Sequence, residues 1–349
     1  MKVFCIMATL IEKDIIGNYS FVRLASGVPA WHEKYSEKQG GTAGKIYIAA
    51  DELASKALDF AEVGSIAFDT CTSPYRYVKP SGEESARMEF CKKEDCIGQI
   101  VTRCDTGDML SMVGNQWTPF QNKDALQNIQ VLLDTGLVKM DTAFAISSGQ
   151  NVVYCCSLAG SQGEVRLGDE ITRYFTLSVP HCVGAIVPFF TTIRTVCNNT
   201  LQAGMSAASA MLRIRHSEKV TLNVETAMRM INVAQGEFQA DLEMWKKLQN
   251  VGFNADDVAK YVMRVFDVKD GDEISTKKQT SLVDIVRLAS QGKGNTGKTL
   301  WDAFNAITEY ESHNRGRTVE NRMSNLYFGG ENGKNIKRAL EVAKGYISA

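Results

Sequence analysis

Proline is scarce in this chain, with six in 349 residues, and none follows Pro188. A proline ring removes a helix hydrogen bond and clashes with the preceding turn, so the proline-free tail permits long helices. Histidine is rarer still, at four. There is no paired-histidine zinc signature, no nucleophile elbow and no dinucleotide fingerprint. None of the nine cysteines forms a CxxC pair, which removes the commonest zinc spacing. No apolar run reaches the roughly eighteen residues that a membrane span needs. The opening MKVFCIMATLIEKD is broken by Glu12, Lys13 and Asp14 with no small-residue cleavage site after it, so a secretory leader is not expected. An odd number of cysteines without a leader favours free thiols in a reducing cytoplasm over a disulfide framework.

The composition is ordinary for a soluble globular protein, 44% hydrophobic and 23% charged. The length suits one large domain or two. The net charge of −1 hides an asymmetry. Residues 1–188 carry 17 Lys and Arg against 22 Asp and Glu, and residues 189–349 carry 22 against 18. Within the latter, residues 277–349 hold 12 against 7. A mild basic excess is therefore local and C-terminal, where it can face a polyanion.

The chain pivots on Pro188–Lys219. An apolar β-branched run ends at Cys197-Asn198-Asn199-Thr200, after which an Ala/Met-rich helix is expected, leaving through Arg213-Ile214-Arg215-His216. Before this stretch the pattern is of short strands: Tyr75–Val78, Arg87–Phe90, Gly98–Arg103, Met109–Val113, Val138–Ser147, Asn151–Leu158, Ile171–Val179 and Gly184–Val196. Asp105-Thr-Gly-Asp108 reads as a hairpin turn. A helix is expected over Ile46–Phe60, and another begins at Asn122, read as its N-cap. In Ile171–Val179, Tyr174, Thr176 and Ser178 alternate with Phe175, Leu177 and Val179, as in a half-buried strand. After the pivot, Thr221–Gln249, Asp256–Phe266, Thr280–Ser290, Thr299–Ser312, Val319–Tyr327 and Asn335–Tyr346 carry helical spacing. The expected fold class is α+β. A sheet-rich core over residues 1–200 has embedded helices, and a mainly helical region over 201–349 packs on it.

Gly292-Lys-Gly-Asn-Thr-Gly-Lys-Thr299 matches the phosphate-binding loop letter for letter. That loop must follow a buried parallel strand, whereas Ser281–Ala289 reads as a helix; a basic loop before a helix is the expected reading. On the next helix Asp302, Asn305, Glu309 and His313 form a polar stripe. Glu309 and His313, one turn apart, have metal-ligand spacing, but a solvated face is expected because no second histidine lies nearby. The cationic residues Arg194, Arg213, Arg215, His216, Lys219, Lys277, Lys278, Lys293, Lys298, Arg315, Arg317 and Arg322 are interleaved with Asn198, Asn199, Trp301, Tyr310 and His313. Lysine and arginine neutralise phosphates, and aromatic rings stack on unpaired bases.

The blocks Asp105-Thr-Gly-Asp-x-Leu-x-x-Val-Gly114, Trp117-Thr-Pro-x-Gln-Asn122, Thr192-Ile-Arg-x-Val-Cys-Asn-Asn-Thr-Leu201, Ile214-Arg-His216 and Thr299-Leu-Trp-x-Ala-Phe-Asn-Ala-x-Thr-Glu-Tyr310 with His313, preceded by Trp31-His32, carry a resemblance. Over roughly residues 30–345 the chain resembles the phage/plasmid-like protein family catalogued as a domain of unknown function, number nine hundred and thirty-two. The family continues from Trp-His directly into a Gly-rich turn, whereas Glu33-Lys34-Tyr35 intervenes here. The resemblance implies a cytoplasmic protein of phages, plasmids and their bacterial hosts, and it supplies no activity.

The expectation is a nucleic-acid-binding protein, with single-stranded DNA favoured and RNA possible, acting in annealing during recombination or replication. It is expected to form a homo-oligomer, to avoid membranes, and to need no cofactor, metal or catalytic residue. The contact set is Arg194, Asn198, Asn199, Arg213, Arg215, His216, Lys219, Lys298, Trp301, Asn305, Tyr310, His313, Arg315 and Arg317. The competing readings are a metal- or nucleotide-dependent enzyme and a host-interaction or counter-defence module.

Overall fold

A computed structural model describes residues 20–24, 47–48, 70–78, 87–90, 96–104, 106–146, 149–194, 199–202, 214–216, 224–269, 271–292, 294–316, 322, 325–326 and 329–347. It is α+β, with strands in the first half and helices in the C-terminal part. The larger sheet contains β1 (Ser20–Leu24), β2 (Tyr47–Ile48), β7 (Val138–Ile146), β8 (Asn151–Glu164), β9 (Glu170–Pro180), β10 (Ala185–Arg194), β11 (Asn199–Gln202) and β12 (Ile214–Arg215). Its order is β11-β10-β9-β8-β7-β1-β2, with β12 also pairing to β10. The smaller sheet runs β4 (Arg87–Phe90), β3 (Thr70–Val78), β5 (Gly98–Arg103), β6 (Met109–Val113). Six helices are described: α1 (Asn122–Asp134), α2 (Val224–Asn250), α3 (Ala255–Val265), α4 (Thr276–Gln291), α5 (Leu300–Glu309) and α6 (Glu331–Ile347). A π-helical turn, Tyr310–Asn314, continues α5.

Two apolar clusters hold these layers together. In the first, Tyr154, Phe175 and Leu177 of the sheet pack on Leu126 and Ile129 of α1 and Ile231 of α2. In the second, Phe238 and Trp245 of α2 pack with Tyr261, Trp301, Phe304 and Ala339 of the later helices. At 27 residues, α2 is about 40 Å long, enough to serve both clusters. Arg173 of β9 pins it: the guanidinium donates to Ala234 O at 2.9 Å, pairs with Asp241 and lies over the Phe238 ring.

Several expectations are corrected. The point at which the Ala/Met-rich helix was expected to begin is a strand, and residues 203–213, where that helix was expected to run, lie outside the described residues. Asn199–Gln202 returns as an antiparallel strand on β10, with Arg194 opposite Asn199. Tyr47–Ile48 is a strand parallel to β1 rather than the start of a helix; the rest of that expected helix lies outside the described residues. The N-cap of α1 is Gln121, in a capping box with Asp124. Asn122 turns inward instead, accepting hydrogen bonds at one oxygen from Tyr154 Oη at 3.2 Å and His181 Nε2 at 3.0 Å. Residues 171–180 of β9 are buried on both faces, so polar alternation there marks internal partners, not solvent. Cys71 and Cys104 are disulfide-bonded across β3 and the end of β5, with Cα atoms 5.6 Å apart, against the expectation of free thiols; Cys96, Cys155, Cys156 and Cys182 remain thiols. The turn between β5 and β6 does close a hairpin, with Gly107 at φ 77°, a conformation that favours glycine.

Candidate functional site

All ten residues of α5 are buried. The polar stripe is therefore internal rather than solvated, and the structure supplies its partners. Thr299 caps the helix, accepting from Asp302 N–H at 3.2 Å. Asp302 in turn accepts from Thr296 Oγ1 at 2.7 Å, Thr299 Oγ1 at 2.9 Å, the Lys298 backbone N–H at 3.2 Å and Arg166 at 2.9 Å. Burial pushes the Asp302 pKa up, but the Thr296 hydroxyl, the Arg166 charge and Thr299 outweigh it and leave the pKa below the ordinary value. The phosphate-loop pattern thus follows a helix, as expected, and three of its donors, the Thr296 and Thr299 hydroxyls and the Lys298 N–H, close on a carboxylate of the chain itself. Gly292 is required there for space: a Cβ would lie 2.5 Å from Glu309 Oε2 and 2.6 Å from Leu288 O.

The π-helical turn redirects the stripe. Arg315 N–H donates to Tyr310 O at 2.9 Å, an i→i−5 bond that inserts one residue into the helical turn. Glu311, Ser312 and His313 stay inside, while Tyr310, Asn314 and Arg315 reach a cleft of about 690 Å³. The N-terminal half of α4, including Lys277, Lys278 and Ser281, forms one wall; Glu331 and Asn332 at the start of α6 form another. Tyr310 Oη donates to Ser281 Oγ at 2.7 Å, holding the half-buried ring against α4. Lys277 and Lys278 are exposed, and neither is ion-paired with a described carboxylate. Glu331 is paired with Lys334 at 3.2 Å, so the lining is net cationic.

Beneath the cleft floor lies Glu311, whose side chain is 0% exposed. Its Oε1 accepts from Arg315 Nη1 and from Asn335 Nδ2, both at 2.9 Å, and its backbone carbonyl accepts from Asn332 at 2.7 Å. Burial pushes its carboxyl up to about 7, against the pull of Arg315 and Asn335, with the Glu331 charge pushing further up.

The structure does not gather the expected contact residues on one face. Tyr310 and Arg315 meet at the cleft. Lys298 is exposed, but at the opposite end of α5. Arg215 is exposed and His216 buried beside Ala185, at the start of β10. Arg194 stands at the far end of that strand, about 30 Å away. His216 stacks on Trp117 with ring centroids 4.7 Å apart and hydrogen-bonds Thr118 O at 3.1 Å, an internal role. Trp301, Asn305 and His313 are corrected outright, because they are 0%, 0% and 3% exposed and a base cannot reach them. The Trp301 indole N–H donates to Asp169 at 2.9 Å, and the Asn305 amide donates to Trp301 O at 2.8 Å. Arg194 and Asn199 pair through their backbones. Asn198, Arg213, Lys219 and Arg317 lie outside the described residues.

Arg166, Asp169, Arg173 and Glu311 were not expected as key groups. Arg166 sits in the β8–β9 turn and its partner Asp302 is 136 residues away, so no local pattern links them. Glu311 reads as one more acid beside the stripe until the π-helical turn puts it inside. Among the described residues, no three His, Cys, Asp or Glu side chains group as metal ligands, which leaves Glu309 and His313 without a third. No described helix is long and apolar enough to cross a membrane.

No curated protein and no solved structure matches this chain. A family model does match over residues 109–327, from β6 through α5 and the π-helical turn, and so includes the Arg166–Asp302 joint and most of the cleft. By that match the chain belongs to the family described as Domain of unknown function (DUF932).

Proposed function

We propose that this protein binds nucleic acid, single strands in preference to duplex, through the cleft between α4, the π-helical turn and the start of α6. The observation that carries this reading is the meeting of Lys277, Lys278 and Arg315 with the Tyr310 ring at one concavity. Lysine and arginine there engage backbone phosphates, and the tyrosine face offers a surface on which a base can stack. Single strands are favoured in this reading because an aromatic face can stack only on an unpaired base. The first turn of α4 contains no acidic residue, so the positive end of the helix dipole adds to the field. Lys298 and Arg215, exposed but distant, would serve only as peripheral contacts.

The reading extends to annealing of phage or plasmid DNA in the bacterial cytoplasm, with several copies along one strand. There the Cys71–Cys104 bond would be reduced. Fluorescence anisotropy with labelled single-stranded DNA, the matching RNA and a duplex tests the proposal. The expected result is tightest binding to a single strand, weakening steeply with salt. Absence of binding at low salt, or binding indifferent to salt, overturns it.

A further inference from the structure

The same cleft contains a groove-lining cation tied to a buried acid, and this deepens the nucleic-acid reading on which it rests. Arg315 is 37% exposed and lines the cleft, yet its Nη1 is held by Glu311, which is wholly buried. The guanidinium cannot serve phosphate fully while it neutralises a carboxylate in a low-dielectric floor, because separating that pair would strand a buried charge. We propose that Glu311 is a proton-operated latch on Arg315: ionised, it holds the guanidinium at the floor; after taking up one proton from solvent, it releases Arg315 to the bound strand.

The surroundings of Glu311 support this. From α6, Asn335 donates to the same carboxylate oxygen that holds Arg315, and Glu331, itself paired with Lys334, repels a charge on Glu311. From α4, Lys277 and Lys278 border the same space. The described part of β11, Asn199–Gln202, has no charged residue. Glu309 and His313 are buried on the same helical stretch. Burial sets the Glu311 carboxyl at about 7, so the latch operates near neutrality. Burial holds His181 down at about 3, so it does not mimic the effect between pH 6 and 8, and burial also lowers His216.

The test compares the full-length wild type, Glu311→Gln and Arg315→Gln, measuring affinity for a labelled single-stranded oligonucleotide at pH 6, 7 and 8 and fixed salt. The wild type should bind about three- to fivefold tighter at pH 6 than at pH 8, the size of one exposed ion pair gained. Glu311→Gln should lose this dependence and at pH 8 match the wild type at pH 6. Arg315→Gln should be equally flat and no tighter than the wild type at pH 8. A flat wild-type profile, or a slope that survives in Glu311→Gln, overturns the latch. Should no variant bind, the nucleic-acid reading fails, and the latch is then judged by NMR of the Glu311 carboxyl carbon, assigned by its loss in Glu311→Gln. A midpoint near 7 with a coupled shift at the Arg315 Nε resonance supports it; a midpoint between 4 and 5 overturns it.

Discussion

Arg166 and Asp302, 136 residues apart in sequence, are joined at 2.9 Å between the β8–β9 turn and the first turn of α5. Asp302 is 0% exposed and Arg166 only 18%. The same guanidinium also meets Asp169, Gln249 and the Gly294 carbonyl. One side chain therefore ties the sheet to α2, to the glycine-rich loop and to the buried helix that leads to the cleft. Truncating one partner leaves the other charge buried, a loss of about 3–5 kcal/mol. Urea unfolding of Arg166→Ala, Asp302→Ala and the double variant should show each single change costing most of that amount. The double variant should cost clearly less than their sum. Simple additivity would show that the pair is not coupled.

Two glycines make opposite predictions. At Gly292 a methyl group would press on the Leu288 carbonyl and the Glu309 carboxylate, so Gly292→Ala should lose about 2 kcal/mol or more. At Gly236, inside α2, nothing lies within 4 Å of the added carbon. Gly236→Ala should then gain about 0.5–1 kcal/mol from helix propensity alone. Thermal unfolding of the two variants beside the wild type checks both signs.

The C-terminal helices were legible in the sequence because amphipathic spacing is local: α2, α3, α4 and α6 fall within a few residues of the expected spans. The hairpin around Gly107 was legible for the same reason, its turn residues lying next to one another in sequence. The return of β11 was not, because Asn199–Gln202 is four residues long, too short for an alternation to show. The stripe on α5 misled in a different way. A helix with polar residues at regular steps looks the same whether water or a distant arginine satisfies them. Asp302 and Arg166 meet only once the chain has folded. The contact set therefore mixed residues that line the cleft, such as Tyr310 and Arg315, with core residues such as Trp301 and Asn305.

Stability should respond to pH through two buried groups with opposite signs. Glu311 titrates at about 7 against an ordinary 4.5, so the folded state holds its proton more tightly and stability is lost as pH rises from about 4.5 to 7. His181 is lowered to about 3 from 6.5, by burial first and then by the charges of His216 and Arg103. Its contribution is present above about 6.5 and lost as pH falls toward 3. The two slopes oppose each other between roughly 4.5 and 6.5, with the burial-lowered His216 adding to the histidine side, so the wild type should be flatter there than Glu311→Gln. Glu311→Gln should expose the histidine slope, gaining about 2 kcal/mol between pH 5 and pH 6.5. Chemical denaturation across that range is the check; a Glu311→Gln profile no steeper than the wild type would count against the assignment.

Burial separates two aromatics that look alike in the sequence. Trp301→Phe keeps most of the ring but loses the bond to Asp169. It should cost about 1–2 kcal/mol of stability and leave the affinity of folded protein for single strands within about twofold. Tyr310→Ala should weaken binding about five- to tenfold or more, the loss of one stacked base. Anisotropy titrations of both variants, with circular dichroism to confirm folding, distinguish these outcomes.

The most direct test is the salt dependence of single-strand binding by the wild type and by Lys277→Ala/Lys278→Ala. Both lysines are exposed on α4, so the folded state should tolerate the change. If each meets one phosphate, the slope of log K against log salt becomes shallower by about 1.4 in the double variant, with weaker binding at every salt concentration. An unchanged slope, with affinity equal to the wild type, would place the nucleic acid elsewhere or nowhere on this protein.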